Sequence, residues 1–402
     1  MNQIEIANRN IKLYVFVKVF AKRVFLPLSA IYFMDNVGFT IRDIGLMAAF
    51  YSIVQLLAEV PTGYFADRIG RIKSIRIGSS LAALATIFYV IFHSKLGIFA
   101  GVFLEALGYS FMGGAGEALI HDSLVVKKQE SLYTKILSKA QSTSLIANAI
   151  LLALVPVTYV IDIRLPFIIG TVAYLSLLGV ALQMQDLDNV TTKERPSLPD
   201  FSKIISKRNV ALFALSFGII SALYTSSTDM INIAIKEFGL RPEYLGWVYG
   251  LSSVLGALIG PYIHHLQGIH LSRYILLDLA MLLSLYIAAY SGSAIFLSLT
   301  VIVAVSFWRY RKIIYQSYLL TNYPTSLKAT LLSAMSNLEQ LNAIWIPLII
   351  AYVIHATSTS AGLGIVGIFA LCIAPIFYFS TLKFFRRDPL PTKLANIGTD
   401  TV

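Results

Sequence analysis

The chain has 402 residues, is 57% hydrophobic and only 13% charged, and carries a mean hydropathy of +0.73 and a net charge of +11. That composition lies far outside the range of soluble globular domains and marks an integral membrane protein. A spanning helix needs about 20 largely apolar residues, whereas barrel strands alternate and are about half as long, so the long apolar runs exclude a barrel.

Twelve such runs occur, at roughly 12–34, 43–66, 74–93, 96–122, 138–160, 163–184, 209–235, 242–264, 274–290, 293–320, 327–354 and 360–382. The expected fold is all-α, with twelve transmembrane helices in two pseudo-symmetric six-helix bundles. An ionisable side chain at membrane depth costs about 3 kcal/mol or more, so each one in these runs is a functional candidate. The first run holds Lys18, Lys22 and Arg23 and has no small-residue cleavage site after it, so it is expected to stay as a helix rather than leave as a signal peptide. Arg23 stands about eleven residues in, or roughly 16 Å, near the midplane, where it does not easily snorkel.

Between the second and third runs lies "EVPTGYFADRIGRIKSIRIG", 59–78, with two acids and four bases in one short turn. Gly63 and Gly70 permit close helix approach, and Asp67 and Arg71, four apart, can pair with each other or reach a neighbouring helix. In the fourth run, Glu105 approaches the midplane from the opposite side, so a pair with Arg23 is geometrically possible; it serves a cavity or only satisfies itself. Glu117 sits in "GGAGEALIHDSL", where small residues at 113, 114 and 116 allow close packing, and a carboxyl group in such a dry place is suited to carry a proton. Glu59, just before Pro61, is a similar candidate.

The polar segment "QDLDNVTTKERPSLPDFSKIISKRN" follows the sixth run and divides the chain into a first bundle over 1–184, a cytoplasmic linker over 185–208, and a second bundle with a short tail over 209–402. A faint repeat supports the division: "GLMAAFYSIV" and "GWVYGLSSVL" are similar at an offset of about 200. Ser221, Thr225 and Asp229 form a polar stripe on the seventh run, and Asn337, Glu339 and Gln340 form another on the eleventh. Such stripes line a water-filled path or join helices by hydrogen bonds. Asp278 is alone in the ninth run, and Arg309, Arg311 and Lys312 cluster in the tenth, where they are expected to snorkel toward the inner surface.

The bases are sorted by side. With the N-terminus inside, 21 of the 32 fall on inner segments and 5 on outer loops, which puts both termini in the cytoplasm of an inner (cytoplasmic) membrane. The positive charge is thus a topology signal and implies no nucleic-acid partner. Cys372 is the sole cysteine, and the six histidines show no metal-ligand spacing with acids. There is no phosphate-binding glycine loop with a lysine and no serine elbow, so neither a cofactor nor an enzyme is expected.

The stretch "GYFADRIGRIKS" resembles the signature of the loop between helices 2 and 3 of the major facilitator superfamily, a glycine four residues ahead of D-R-x-G-R, and the match is nearly complete. The resemblance implies a twelve-helix transporter whose spans 1, 4, 7 and 10 line the central cavity, often acting as a monomer. It also implies a cytoplasmic latch of Gly63, Asp67, Arg68, Gly70, Arg71 and Asp122, the last in "GEALIHDSL", that closes on span 11 and stabilises the outward-facing state. The alternative for Arg68, Lys73 and Arg76, less favoured than the latch, is that the turn merely anchors the hairpin at the membrane surface. "GEALIHDSL" and "PTSLKATLLS" look like a drug-efflux-like bacterial branch. The fifth run lacks the glycine pattern of antiporters in that branch, and Glu105 stands roughly where they keep an arginine.

The expected function is therefore secondary active transport of a small solute by alternating access, as proton-coupled efflux. Glu59, Glu105, Glu117, Asp229 and Glu339 are the proton-coupling candidates; Arg23, Glu105, Ser221, Thr225, Asp229 and Arg309 are the cavity candidates. Two alternatives remain: proton symport of a small anionic solute drawn by Arg23 and Arg309, and a non-transporting sensor or scaffold. Partners are the substrate, protons and the lipid bilayer.

Overall fold

The computed structural model describes residues 2–187, 208–262, 270–322 and 325–385. These residues form fourteen α-helices and no strand: α1 Gln3–Phe20, α2 Leu26–Val37, α3 Ile41–Ile69, α4 Arg71–Ile91, α5 Lys95–Met112, α6 Ala115–Val126, α7 Tyr133–Leu154, α8 Leu165–Gln183, α9 Arg208–Glu237, α10 Leu245–Ile259, α11 Leu271–Tyr290, α12 Ala294–Asn322, α13 Thr325–Ala356 and α14 Thr359–Phe385. Residues 188–207 of the linker, with His264 and His265, lie outside the described residues.

The fourteen helices fall into the twelve expected runs, two of which are each broken in two. The first divides into α1 and α2 at Ala21–Phe25. Pro27, in the first turn of α2, has no N–H to carry a continuous helix back onto Arg23. The fourth divides into α5 and α6 at Gly113 and Gly114, where Gly114 adopts φ +71°. Ten runs among the described residues are long and apolar enough to cross a membrane. The first expected span falls short because of its break and its charges, and the eighth because α10 has only 15 residues before it tightens into the turn Gly260–Tyr262.

Helices α1 to α8 pack among themselves, chiefly α4 on α5 and α8, and α1 on α6 and α7; α9 to α14 do the same, with α9 on α13 and α14. The two bundles meet where α3 packs on α13, α7 on α10, and α2 on α9. In span numbers these are 2 with 11, 5 with 8 and 1 with 7, pairs that exchange or map onto themselves when every span advances by six. The architecture is therefore two pseudo-symmetric bundles.

Large apolar side chains such as Leu57, Val60, Leu258, Ile287 and Phe379 are exposed on the outside, which suits lipid as the solvent. Between membrane helices lipid is as apolar as leucine, so close packing rather than water exclusion holds them. Gly78 and Gly108 illustrate it: a Cβ on Gly78 would stand 2.6 Å from the Gly108 carbonyl oxygen. The interior of the first bundle is aromatic, with Phe25, Phe33 and Tyr89 around Phe167.

The bundles touch most closely at the end away from the described chain ends. A Cβ on Gly45 would lie 2.5 Å from the Ala351 Cβ and 2.8 Å from the Pro347 carbonyl oxygen. Gly246 meets the Leu152 carbonyl and Pro156. Lys236 pairs with Asp35 at 2.5 Å, and the Trp247 indole donates to the Ala153 carbonyl at 3.1 Å.

Candidate functional site

A cavity of about 580 Å³ lies between the bundles, walled by α2, α3, α4 and α5 on one side and by α9, α10, α12 and α13 on the other. Arg23 enters it from the break between α1 and α2. Its Nη1 is 3.6 Å from Glu105 Oε1, and its guanidinium lies 4.5 Å from the centre of the Tyr109 ring and 5.3 Å from that of Tyr51. Glu105 is buried on α5 and accepts a hydrogen bond from the Tyr89 hydroxyl at 2.7 Å. The Tyr109 hydroxyl donates to the Ala21 carbonyl at 2.7 Å, serving one of the carbonyls that the end of α1 leaves unpaired. The break thus delivers the arginine, and the tyrosines hold it.

Asp229 and Thr225 from α9, and Glu339 and Gln340 from α13, join the polar lining, with Gln55 and several serines and threonines beside them. Asp229 lies within the electrostatic reach of Arg23 and Glu105. Neither Asp229 nor Glu339 has an ion-pair partner among the described residues. Aromatic side chains fill much of the rest: Phe25, Phe33, Tyr51, Tyr89, Tyr224, Tyr249 and Trp308.

Several expectations need correction. Glu117 is not in a dry place: its side chain is 51% exposed and pairs with Lys18 at 2.9 Å. Glu59 is exposed on α3 and does not line the cavity, because the helix turns that position outward. Ser221 is buried in the second bundle, where it accepts a hydrogen bond from Arg311 Nη1 at 2.5 Å, so only Thr225 and Asp229 of that stripe reach the cavity. Arg309 does not line the cavity either; its Nη2 donates to Ser253 at 2.8 Å. Arg311 does not snorkel. It is 2% exposed, and its Nε contacts both carboxylate oxygens of Asp278 at 2.9 and 2.8 Å, an ion pair the sequence reading left unpaired. The side chain of Lys312 lies outside the described ones.

At the turn between α3 and α4, Arg71 contacts the Asp67 carboxylate, and its Nε is 3.8 Å from Asp122 Oδ2. The three residues of the expected latch are together. A fourth acid, Asp186, was not singled out by sequence: it follows α8, and its Oδ1 accepts from the Ile72 N–H at 2.8 Å, placing a negative charge at the N-terminus of α4. Gly70, at φ +126°, leaves room for that carboxylate, and Arg76 donates to the Ala181 and Met184 carbonyls at 3.0 and 2.8 Å. Gly63 lies on α3, and Arg68 holds the Tyr64 hydroxyl at 2.6 Å, a surface role.

Comparison with known proteins agrees with this architecture. The chain is 24% identical over 243 residues to an uncharacterized MFS-type transporter, YxaM, of Bacillus subtilis, a match covering 58% of this chain and 59% of the relative. It is 20% identical over 232 residues to the multidrug resistance protein MdtH of Cronobacter sakazakii, covering 58% and 57%. The chain thus spans under two thirds of the length of these curated relatives. Among solved structures, the nucleoside transporter NupG matches with a TM-score of 0.80 at 13% identity over 95% of this chain and 99% of that one. A bacterial homologue of the lysosomal transporter Spinster, in an inward-facing and unoccupied conformation, matches with a TM-score of 0.70 at 12% identity over 97% and 99%. At such identities the likeness is one of fold. The sequence profile of the superfamily itself covers residues 13–347, and by that measure the chain belongs to the Major Facilitator Superfamily, a superfamily of membrane transporters.

Proposed function

We propose that this protein is a secondary transporter that carries a small organic cation out of the cell in exchange for protons. The observation that carries the reading is the charge of the cavity. The one arginine in its lining is paired with Glu105, while Asp229 and Glu339 face the space with no ion-pair partner among the described residues. A cation completes that arrangement; an anion meets two unpaired carboxylates, and Arg309, which would favour an anion, is turned to Ser252 and Ser253. Anion symport is therefore the weaker reading, and a scaffold has no use for a cavity lined with charges that are costly to insert.

The coupling candidates narrow to Glu105, Asp229 and Glu339, since Glu117 and Glu59 are exposed. A proton and a cationic substrate compete for the same carboxylates, so loading one releases the other; that competition is sufficient for exchange. Alternating access follows from rocking of residues 1–190 against 205–390, with both termini cytoplasmic. The close contacts at Gly45, Gly246 and Asp35 then seal the external side, and this conformation is inward-facing, as in the Spinster homologue. In the opposite state Asp67, Arg71 and Asp122 close on span 11. The multidrug relative is consistent with efflux, and the transporter works as a monomer.

The test is accumulation of a fluorescent cationic dye in cells expressing the wild type or Asp229→Asn, each with and without a proton uncoupler. The reading requires less dye in the wild type, abolished by uncoupler and by the substitution. Equal dye in all four conditions refutes it.

A further inference from the structure

Behind the cavity wall stands a buried assembly that transport as described above does not use. Arg311 is bound through Nε to Asp278, through Nη1 to Ser221, and Tyr315 donates to Asp278 at 3.0 Å. Its guanidinium lies 4.2 Å from the centre of the Phe217 ring and 4.6 Å from that of Trp308. Trp308 in turn is stacked on Tyr224, with centroids 3.7 Å apart and an interplanar angle of 7°. Tyr224 and Trp308 both line the cavity, so a chain of contacts runs from Phe217 and Arg311 in the bundle interior through Trp308 to Tyr224 at the site.

A buried arginine is an expensive way to fill space, and smaller apolar side chains would pack as well. What the guanidinium adds is a rigid planar surface of fixed orientation, locked by three charged or polar contacts. Trp308 packs against it, and the indole lies parallel to Tyr224. Among the described residues the buried Tyr224 hydroxyl has no hydrogen-bond partner, and neither has the buried Gln340 Oε1 on α13, the neighbouring helix of the same wall. Buried polar groups left without a partner are costly, and these two stand in the cavity lining, where a bound molecule can reach them.

We propose that Asp278 and Arg311 are positioning residues that hold Trp308 and Tyr224 as a stacking wall, and that the substrate carries a flat aromatic ring bearing hydrogen-bonding groups that reach Tyr224 and Gln340. This rests on the cation-transport reading and narrows it from any organic cation to a planar aromatic one.

The test is equilibrium dialysis of three probes against the purified full chain, corrected with empty micelles: ethidium, a flat aromatic cation; tetrapropylammonium, an aliphatic cation; and 2-naphthalenesulfonate, a flat aromatic anion. Trp308→Leu and Arg311→Lys are each expected to weaken ethidium about fivefold to tenfold, the range of an aromatic stacking pair, and to leave tetrapropylammonium within about twofold. Trp308→Tyr, which restores a flat ring, recovers most of the ethidium affinity. Should Arg311→Lys fail to fold, Phe217→Leu loosens the guanidinium from its other face and takes its place. Equal weakening of both cations, no weakening of either, or a wild type that binds tetrapropylammonium as tightly as ethidium overturns the wall and leaves cation transport standing. A wild type that binds only the naphthalenesulfonate, and loses it with Trp308→Leu, overturns cation transport and leaves the wall standing. Binding of neither flat probe overturns the wall.

Discussion

Replacing Gly45 by alanine acts on the contact that closes one end of the molecule. The added Cβ would stand 2.5 Å from the Ala351 Cβ and 2.8 Å from the Pro347 carbonyl oxygen, where ordinary contact needs about 3.4 Å or more, so α3 and α13 must separate by roughly 1 Å. Neither neighbour is the end of a flexible chain that could swing aside. Overpacking of this size costs about 1–3 kcal/mol, a factor of roughly five to a hundred in an equilibrium constant. The cost falls only on the state in which this end is shut, so the population shifts toward the state in which it is open. Spin labels at His93 and Ser293, exposed positions on loops of the two bundles at that end, report the shift as a longer distance in double electron–electron resonance. Gly45→Ala is expected to lengthen the mean distance and to lower transport while leaving folded yield unchanged. An unaltered distribution in folded protein refutes the idea that this contact is broken during the cycle.

Asp67→Asn should lower transport without lowering the amount of folded protein, because it removes the carboxylate that Arg71 contacts and leaves the hairpin intact; unchanged transport removes the latch. Asp278→Leu strands a fully buried arginine and should cost about 3–5 kcal/mol, whereas Asp278→Leu with Arg311→Met should be far milder, so a thermal melt in which the double variant unfolds no later than the single contradicts the buried pair. Asp186→Ala takes away the acceptor at the N-terminus of α4 and should cost about 1 kcal/mol, read as a lower melting temperature; a melting temperature equal to that of the wild type removes its capping role.

The all-helical fold was legible in the sequence because the length of the apolar runs encodes it, and the pairing of Asp67 with Arg71 because they stand four apart; the approach of Asp122 to Arg71 was implied by the resemblance to the superfamily. The partnership of Arg23 with Glu105 was legible as well, since two charges approaching the midplane from opposite sides have few other solutions. What failed was the direction in which a helix turns each residue. Ser221, Thr225 and Asp229 share a stripe four residues apart, yet a long helix rotates enough between its ends for one end to face Arg311 and the other the cavity. Glu117 was read as dry from its small neighbours, but Gly113 and Gly114 break the helix there instead of packing it. The pairing of Asp278 with Arg311 had a signal that went unused: an acid alone in "YILLDLAMLL" requires a base, and span 10 supplied one at matching depth. Asp186 carried no such signal, because its partner is a backbone N–H.

The two breaks in the first bundle have no counterpart in the second. Spans 7 and 10, the equivalents of spans 1 and 4, run without interruption as α9 and α12. The repeat is thus lopsided: in one half both spans are interrupted, one of them beside the cavity at Arg23, and in the other half the equivalent spans are continuous. Arg23 stands at one of these interruptions, while Asp229 and Trp308 stand on unbroken rods. If the cavity takes a ligand as proposed, the interrupted half is the one expected to yield to it and the continuous half the anvil against which it is gripped.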